Sequence, residues 1–480
     1  MKKTFAAFLL VAALGLNASA LEKISGLPAK CERVATLQIA DTASLVQGIS
    51  KLGEMTGNAM LGMMASQAIA QNPYAELLDA PREGAGMTVV LFIENGNLET
   101  AILYPVSVTK AQFLKSCEGA VESNGLIKAE SSFVAFSKDG KWAAVGEHPR
   151  RTRAALKEIA MAEKKLDGDL VRIRVDNIGA VKGQLDGALS FCGGEKQKAQ
   201  TDKLREQIDS IVGAVAALKV GDKGLDFRMS FKVSEGSALD KVGKSALAPG
   251  YFSFAAPNAI MAQAAAKNVG AEYFDSADLV KVLAKHGIDV SSFYDDKGSE
   301  DDKNIGRVVI DVPALVKYFK QFDAGKIDGE KLLEDIGKIK KDGESNPEMK
   351  CSYALKGHKP IASVEERFAY TMPEAKGKNV TAASFLSLGS IMKVAMPAGL
   401  AVADKNVKQQ LAPLVAMIPP EAKGGTAYIC WRDGATIKSL VRISPDEFKS
   451  LSPLVAGCMM FGTAAPAVTV PSACDDKEDK

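Results

Sequence analysis

Two tetrapeptides place a lysine three residues after a serine, Ser390-Ile-Met-Lys393 and Ser107-Val-Thr-Lys110. That is the S-x-x-K spacing of serine acyl enzymes, in which a neighbouring base activates the hydroxyl. Only two of the four positions are fixed, and the S-D-N and K-T-G elements that complete such sites are absent. No G-x-S-x-G supplies a nucleophile elbow either. The bland reading is therefore preferred: Ser390 lies near a helix start, where a hydroxyl caps, and Lys393 in an exposed turn. Gly243-Lys244-Ser245 is reminiscent of the end of a phosphate loop, but Ala238 occupies the position where the leading glycine belongs. Three histidines, His148, His286 and His358, lie far apart, and no H-E-x-x-H occurs. Each reads as a surface or helix-end residue. The loop carrying Asp295, Asp296, Glu300, Asp301 and Asp302 offers oxygens but lacks the spacing of a calcium loop, so it reads as a solvated charged segment. No catalytic residue, metal ligand or cofactor motif emerges.

Two weaker features remain. Met55, Met60, Met63 and Met64 share a predicted helical stretch with Gly53, Gly57 and Gly62. Methionine surfaces accept varied apolar partners, so this helix is the candidate apolar ligand surface, although core packing is the commoner use. Seven cysteines are present, none in a C-x-x-C pair, and Cys458 with Cys474 is the candidate disulfide.

The 480 residues carry 60 Lys plus Arg and 58 Asp plus Glu, so the chain is almost neutral. Neutrality gives no electrostatic footprint for nucleic acid. The first residues, MKKTFAAFLLVAALGLNASALEK, order a basic start, a short apolar run and Ala18-Ser19-Ala20. This is signal-peptide grammar, with cleavage expected after Ala20 and export to the periplasm or beyond. No later run is long enough for a transmembrane helix.

The elements expected to position any site repeat a pattern of strand, helix-start signal, two helices and hairpin. VATLQIADT opens the first copy, with Asp41 at the cap, and GMTVVLFIENG continues into its hairpin. DLVRIRVD opens the second. Leu204, Ile208, Ile211, Val212, Val215 and Leu218 then predict one buried helical stripe over 202–218. In the hairpin that follows, Leu225, Phe227, Met229 and Phe231 alternate with polar residues, so one face is buried and the other wet. GYFSFAAPNAIMAQAAA predicts a helix opened by Pro257 and Asn258. IGRVVIDVPALVKYF opens a fourth copy, whose hairpin is predicted over 348–368. A fifth runs from VTAASFLSLGSIM to GGTAYICWRDGATIKSLVRIS. Gly86 to Gly96 and Gly424 to Gly434 keep the same spacing. A separate hairpin, SSFVAFSKDGKWAAVGE, lies between the first two copies.

The fold class expected is α+β, with mostly antiparallel sheet or sheets and helices packed on one face. The expected regions are a signal peptide at 1–20, repeat regions at 27–245 and 246–451, and a tail at 452–480. VATLQIADTASLV, SKDGKW and GDKGLDF resemble segments of large secreted bacterial proteins built on a domain of unknown function. That resemblance covers most of the mature chain, rests on structural motifs, and carries over no catalytic residue. The function expected is a non-enzymatic envelope protein that binds or scaffolds, with an envelope protein or apolar ligand as partner. The alternatives are a carrier of an apolar molecule or lipid, and a hydrolase with a site assembled from distant residues.

Overall fold

The computed structural model describes residues 32–57, 85–94, 97–129, 132–179, 198–241, 244–267, 276–296, 305–339, 348–359, 362–402 and 424–452, with isolated positions 63, 409, 412, 413 and 416. The N-terminal region comprises β1 (Glu32–Ile39), α1 (Thr42–Thr56), β2 (Thr88–Glu94), β3 (Asn97–Pro105), α2 (Lys110–Ser116), β4 (Val121–Ser123), β5 (Leu126–Ala129), β6 (Ser132–Phe136), β7 (Trp142–Gly146) and α3 (Pro149–Ala155). Next come β8 (Val171–Val175), α4 (Lys198–Asp209), β9 (Ile211–Gly221), β10 (Gly224–Val233), β11 (Ala259–Ala265), α5 (Ser276–Lys285), β12 (Tyr294–Asp296) and β13 (Ile305–Ile310). The remainder is α6 (Val312–Asp323), α7 (Gly329–Gly337), β14 (Met349–Leu355), α8 (Val364–Thr371), β15 (Val380–Leu386), α9 (Leu388–Val402), β16 (Thr426–Asp433) and β17 (Thr436–Ile443).

All 17 strands of the described residues join one sheet. Hydrogen-bonded neighbours run β4-β5-β6-β7-β3-β2-β1-β8-β9-β10-β17-β16-β15-β11-β14-β13-β12. Only β13 with β14 is parallel among these pairings. The α+β, mostly antiparallel expectation holds. Because β10 pairs with β17, the two predicted repeat regions share one sheet.

Three segments share a strand order. β1, β8 and β15 each pair antiparallel with the strand that follows their helix, and that strand forms a hairpin with the next. The cap signals act as read. Asp41 accepts from the Ser44 N–H at the start of α1, and Asp311 accepts from the Ala314 N–H at α6. Gly86 and Gly424 hold matching places before β2 and β16. A β-carbon on Gly86 would collide with the Ile39 carbonyl, and one on Gly424 with the backbone at Asp446 and Glu447. Neither neighbour is a flexible side-chain end. Gly86→Val is therefore expected to cost about 3 kcal/mol or more, read as a lower urea midpoint at unchanged slope. An unchanged midpoint would show that the close approach does not exist.

Helices pack on both faces, which corrects the one-face expectation. Phe113 of α2 packs with Ile127, Val134 and Val145. Ala155 of α3 packs with Leu103, Trp142 and Ala144. Val145 and Ala144 are neighbours in one strand and point to opposite sides. With 17 strands there is apolar surface on both faces to cover, and no single helical layer reaches all of it.

Three element readings are also corrected. Residues 211–218 are strand, not helix: β9 is paired with β10 from Ile211 to Gly221 and with β8 from Ala214 to Leu218. The Ile/Val/Leu spacing there fits either period, and pairing on both sides decides it. Residues 259–265 are also strand, with Ala259, Ala262 and Ala264 buried beneath Phe252, Phe254 and Phe368. Alanine reads as helix former, yet here it leaves room for aromatic rings. The second arm of the hairpin predicted over 348–368 is the start of α8. Ser363 and Glu366 form a reciprocal capping box there. The Asn124-Gly125 turn between β4 and β5, with Asn124 at φ 51° and Gly125 at 75°, is a hairpin signal that the repeat pattern had obscured.

Candidate functional site

Alternation puts Leu225, Phe227, Met229 and Phe231 on one face of β10 and Asp226, Arg228, Ser230 and Lys232 on the other. Following the register outward gives the composition of that wet face. Arg172 on β8 lies opposite Ala217 on β9, which lies opposite Arg228 on β10. One pair further along, Arg174 faces Val215, Val215 faces Ser230, and Ser230 faces Lys438 on β17. Lys219 stands opposite Asp226.

Walls rise on both sides of this floor. On one side, Gln38 of β1 donates to the Met161 and Lys164 carbonyls, and Arg172 donates to those of Lys165 and Leu166. That holds 161–166 against the sheet over the core of Val90, Phe92, Leu103 and Trp142. On the other side, Arg442 donates to the Thr371 carbonyl and to Glu374, and the Lys378 ammonium lies 5.0 Å from the Trp431 ring centre. That wall stands on the core of Phe252, Phe368, Phe385 and Ile429. Between them, β8, β9, β10 and β17 form a groove floor four strands wide, about 15–20 Å at the usual strand spacing.

Buried carboxylates fix the floor. Asp169 accepts from Arg172 at 2.7 Å and pairs with Arg228, with its own side chain only 2% exposed. Two guanidinium groups are thus held side by side over Ala217, yet remain 23% and 40% exposed. Asp226 grips Arg442 through both oxygens, at 2.6 and 2.7 Å. Burial alone would lower the Arg442 pKa, but the hydrogen bonds it donates to Asp226 and Glu374 raise it overall. Glu374, despite partial burial, is held below the usual glutamate range by Arg442.

A second polar centre is closed. Glu447 is fully buried, and its carboxylate accepts from the Leu388 N–H at the first turn of α9. Burial pushes its pKa up to about 7, against the lowering effects of the Leu388 and Gly389 amides and of Arg367. Among the described residues, its second oxygen and the Arg367 Nε have no hydrogen-bond partner. Ser387 donates to Ser390 at 2.8 Å, and both hydroxyls are fully buried. His358 is held below the ordinary imidazole value by burial, then by Arg367 and Lys393.

This places the S-x-x-K motif. Ser390 lies in the first turn of α9, as read, bonded to Ser387. Lys393 is exposed, but on the helix itself rather than in a turn. In the other copy, Lys110 pairs with Glu122, and Thr109 caps α2. Lys244 pairs with Asp240, whose carboxyl is lowered to about 2 by the Gly236 N–H and then by Arg432 and Lys244. His148 caps α3, accepting from the Arg150 N–H. His286 directly follows the end of α5, as read, and its side chain is almost buried against Asp335 at 3.0 Å. Asp295 and Asp296 belong to β12, while Glu300, Asp301 and Asp302 lie outside the described residues. Among the described residues no cluster of His, Cys, Asp or Glu is arranged to hold a metal.

The methionine helix is corrected. α1 ends at Thr56, and Gly57 closes it at φ 71°. Met55 is buried in α1, and Met63 is 53% exposed beyond that break. The two do not share one helix. Met60, Met64, Cys458 and Cys474 lie outside the described residues, as do 1–31. Cys117 and Cys430 are unbridged thiols, and burial raises the Cys430 pKa. No described helix is long and apolar enough to cross a membrane. A shallow polar depression of about 470 Å³ beside α4 is lined by Glu206, Asp209, Ser210 and Lys241.

The groove residues had a signal in the sequence. Arg172, Arg174, Arg228 and Lys232 are polar positions of the alternation in VRIRV and LDFRMSFKV, whereas Lys219 and Lys438 lie outside those segments. What the sequence lacks is the order of strands that brings β8 and β17 to one surface.

No protein-family model matches the chain, and no curated protein matches it. Among solved structures, crystal forms III, IV and I of TP0453 align at TM-scores of 0.22, 0.22 and 0.23, with 10%, 9% and 11% identity. They cover 44%, 42% and 46% of this chain and 79%, 78% and 81% of theirs. Likeness at that level carries no argument.

Proposed function

We propose that this chain is an exported envelope protein that binds a partner in the groove over β8, β9, β10 and β17, and that it does not transform a substrate. The observation that carries this reading is a contrast between the two polar centres. Among the described residues, the open centre is lined by arginines and lysines, most of them in ion pairs, and its serine, Ser230, makes no hydrogen bond to a base. The centre that has a carboxyl near neutrality and two hydroxyls is fully buried, so a substrate has no approach to Glu447 or Ser390. General acid–base work needs hydrogen-bond reach to the reacting atom. A buried serine pair at a helix start serves instead as a cap.

Export rests on the order of Lys2 and Lys3, the apolar run and Ala18-Ser19-Ala20. The shared strand order of the three segments supports internal duplication of a strand–helix–hairpin unit, which extends a sheet and its surface instead of deepening one pocket.

Two measurements test this reading. Intact mass of the protein recovered from the cell envelope is expected to place its first residue at Leu21. Recovery from the cytoplasm with residues 1–20 retained overturns export. Treatment of the folded protein with a fluorophosphonate probe is expected to leave Ser390 unmodified. Stoichiometric labelling there, lost in Lys393→Ala, overturns the non-enzymatic reading and installs the hydrolase.

A further inference from the structure

We propose that the groove receives a strand of carboxylate-bearing polysaccharide, held by Arg172, Arg174, Lys219, Arg228, Lys232 and Lys438. This assigns a ligand class to the binding role argued above and rests on that reading.

Charge is the first argument. The chain as a whole is almost neutral, but six cations project from one face of four adjacent strands. Carboxylates already pair with four of these six cations, and Arg172 also meets Asp167 at 3.7 Å. Asp169 lies beneath Arg172 and Arg228, Asp176 pairs with Arg174, and Asp433 pairs with Lys438. Asp226 and Glu374 are engaged by Arg442. Lys219 and Lys232 have no carboxylate partner among the described residues.

Preorganisation is the second. A free arginine loses side-chain entropy when it binds. Arg172 and Arg228 are already fixed by one almost fully buried carboxylate; Arg172 spends its donors on Asp169 and on the Lys165 and Leu166 carbonyls, and Arg228 is the one of the two whose side chain stays more exposed, at 40%. The fork geometry of two parallel N–H donors matches a carboxylate.

Extent and backbone decide the occupant. Alternate residues on a strand are about 7 Å apart, and every second strand about 10 Å. A single small anion would engage one or two of these cations, whereas a polymer with repeated carboxylates engages them in series. Each of β8, β9, β10 and β17 is paired on both sides, so the floor offers no free ladder to which a peptide adds a strand. Recognition therefore belongs to side chains alone. The small residues between the cations, Ala217, Val215 and Ser230, leave a flat bed for a ring-built chain.

Fluorescence anisotropy with labelled polygalacturonate, dextran, polyphosphate and poly-glutamate provides the test, run on the full-length mature protein. Polygalacturonate is expected to bind, and to weaken as salt rises. Dextran is expected not to bind. The double reversal Lys219→Glu with Lys232→Glu is expected to weaken polygalacturonate at least about tenfold, with an unchanged melting curve. The reversal Lys115→Glu with Lys128→Glu, on α2 and β5, is expected to change it less than about twofold. Arg228→Lys, which keeps charge and loses the fork, is expected to weaken it several-fold. Absence of polygalacturonate binding, or equal weakening by the two reversals, overturns the proposal. Equal binding of polyphosphate or poly-glutamate overturns the polysaccharide assignment in favour of those polymers. Each of these outcomes can occur with export intact and Ser390 unlabelled, so failure here is distinguishable from failure of the broader reading.

Discussion

Arg442→Met is expected to destabilise the protein by about 3–5 kcal/mol, the usual consequence of stripping one partner from a buried ion pair. Arg442 is 2% exposed on β17, and Asp226 faces it from β10. The same guanidinium reaches Thr371 and Glu374, so it ties α8 and the turn after it to the strand pair that joins the two halves of the chain. Removing it takes from Asp226 its ion-pair partner in a low-dielectric site, leaving only Lys219 on the facing strand position. Glu374 suffers less, being more exposed and within 3.4 Å of Lys223. The double variant Arg442→Met with Asp226→Leu is expected to recover most of the loss, because a well-packed apolar pair is often no worse than a buried salt bridge. Urea unfolding of the wild type, both single variants and the double variant measures the coupling. A double variant no better than Arg442→Met alone would show that the arginine acts chiefly through the Thr371 carbonyl and Glu374.

That ion pair illustrates what the sequence could and could not disclose. The alternation in LDFRMSFKV told which residues of β10 share a face, but not their burial, since Asp226 is buried while Leu225, Phe227 and Phe231 are only half-buried; the Asp433-Gly434 turn told where β16 meets β17. Neither tells that β10 lies beside β17, since they are brought together across more than two hundred residues. Local signals performed well where the physics is local. Asp41, Asp311 and Ser390 all stand at helix starts, and four of the expected hairpins form. Local signals failed where a tertiary partner sets the outcome. The Ile211–Leu218 stretch has no intrinsic preference strong enough to resist β8 and β10 on either side. The Ala259–Ala265 strand is alanine-rich because the rings above it demand small neighbours. The candidate site divided in the same way. Its cations were visible as polar positions, but its identity as a groove depends on walls contributed by 161–166 and 371–378, whose docking no spacing rule encodes.

Glu447 gives the clearest expectation in solution. Its carboxyl is pushed up to about 7 from the ordinary 4.5. Below about pH 4.5 the group is protonated in both folded and unfolded chains and adds no pH dependence. Between there and about 7 the unfolded chain releases the proton while the folded chain keeps it. The folded state then binds more protons, so its contribution to stability falls as pH rises, and levels off above 7. A shift of this size corresponds to about 3 kcal/mol lost across that window. The groups facing the carboxyl are the α9 amides and Arg367, which oppose the shift without cancelling it. His358 lies nearby, and Arg367 and Lys393 help hold its pKa below the ordinary imidazole value. It favours the neutral ring when folded, so it contributes the opposite slope as pH rises toward 6.5. The measurement must therefore be a difference. Stability of the wild type minus that of Glu447→Gln, from urea midpoints between pH 5 and 8, cancels His358 and every other common group. The difference is expected to fall by about 3 kcal/mol with rising pH, because glutamine retains an acceptor for Leu388 and carries no charge. A difference that stays flat across the window would mean that Glu447 is ionised throughout, its burial fully offset by the α9 terminus and Arg367.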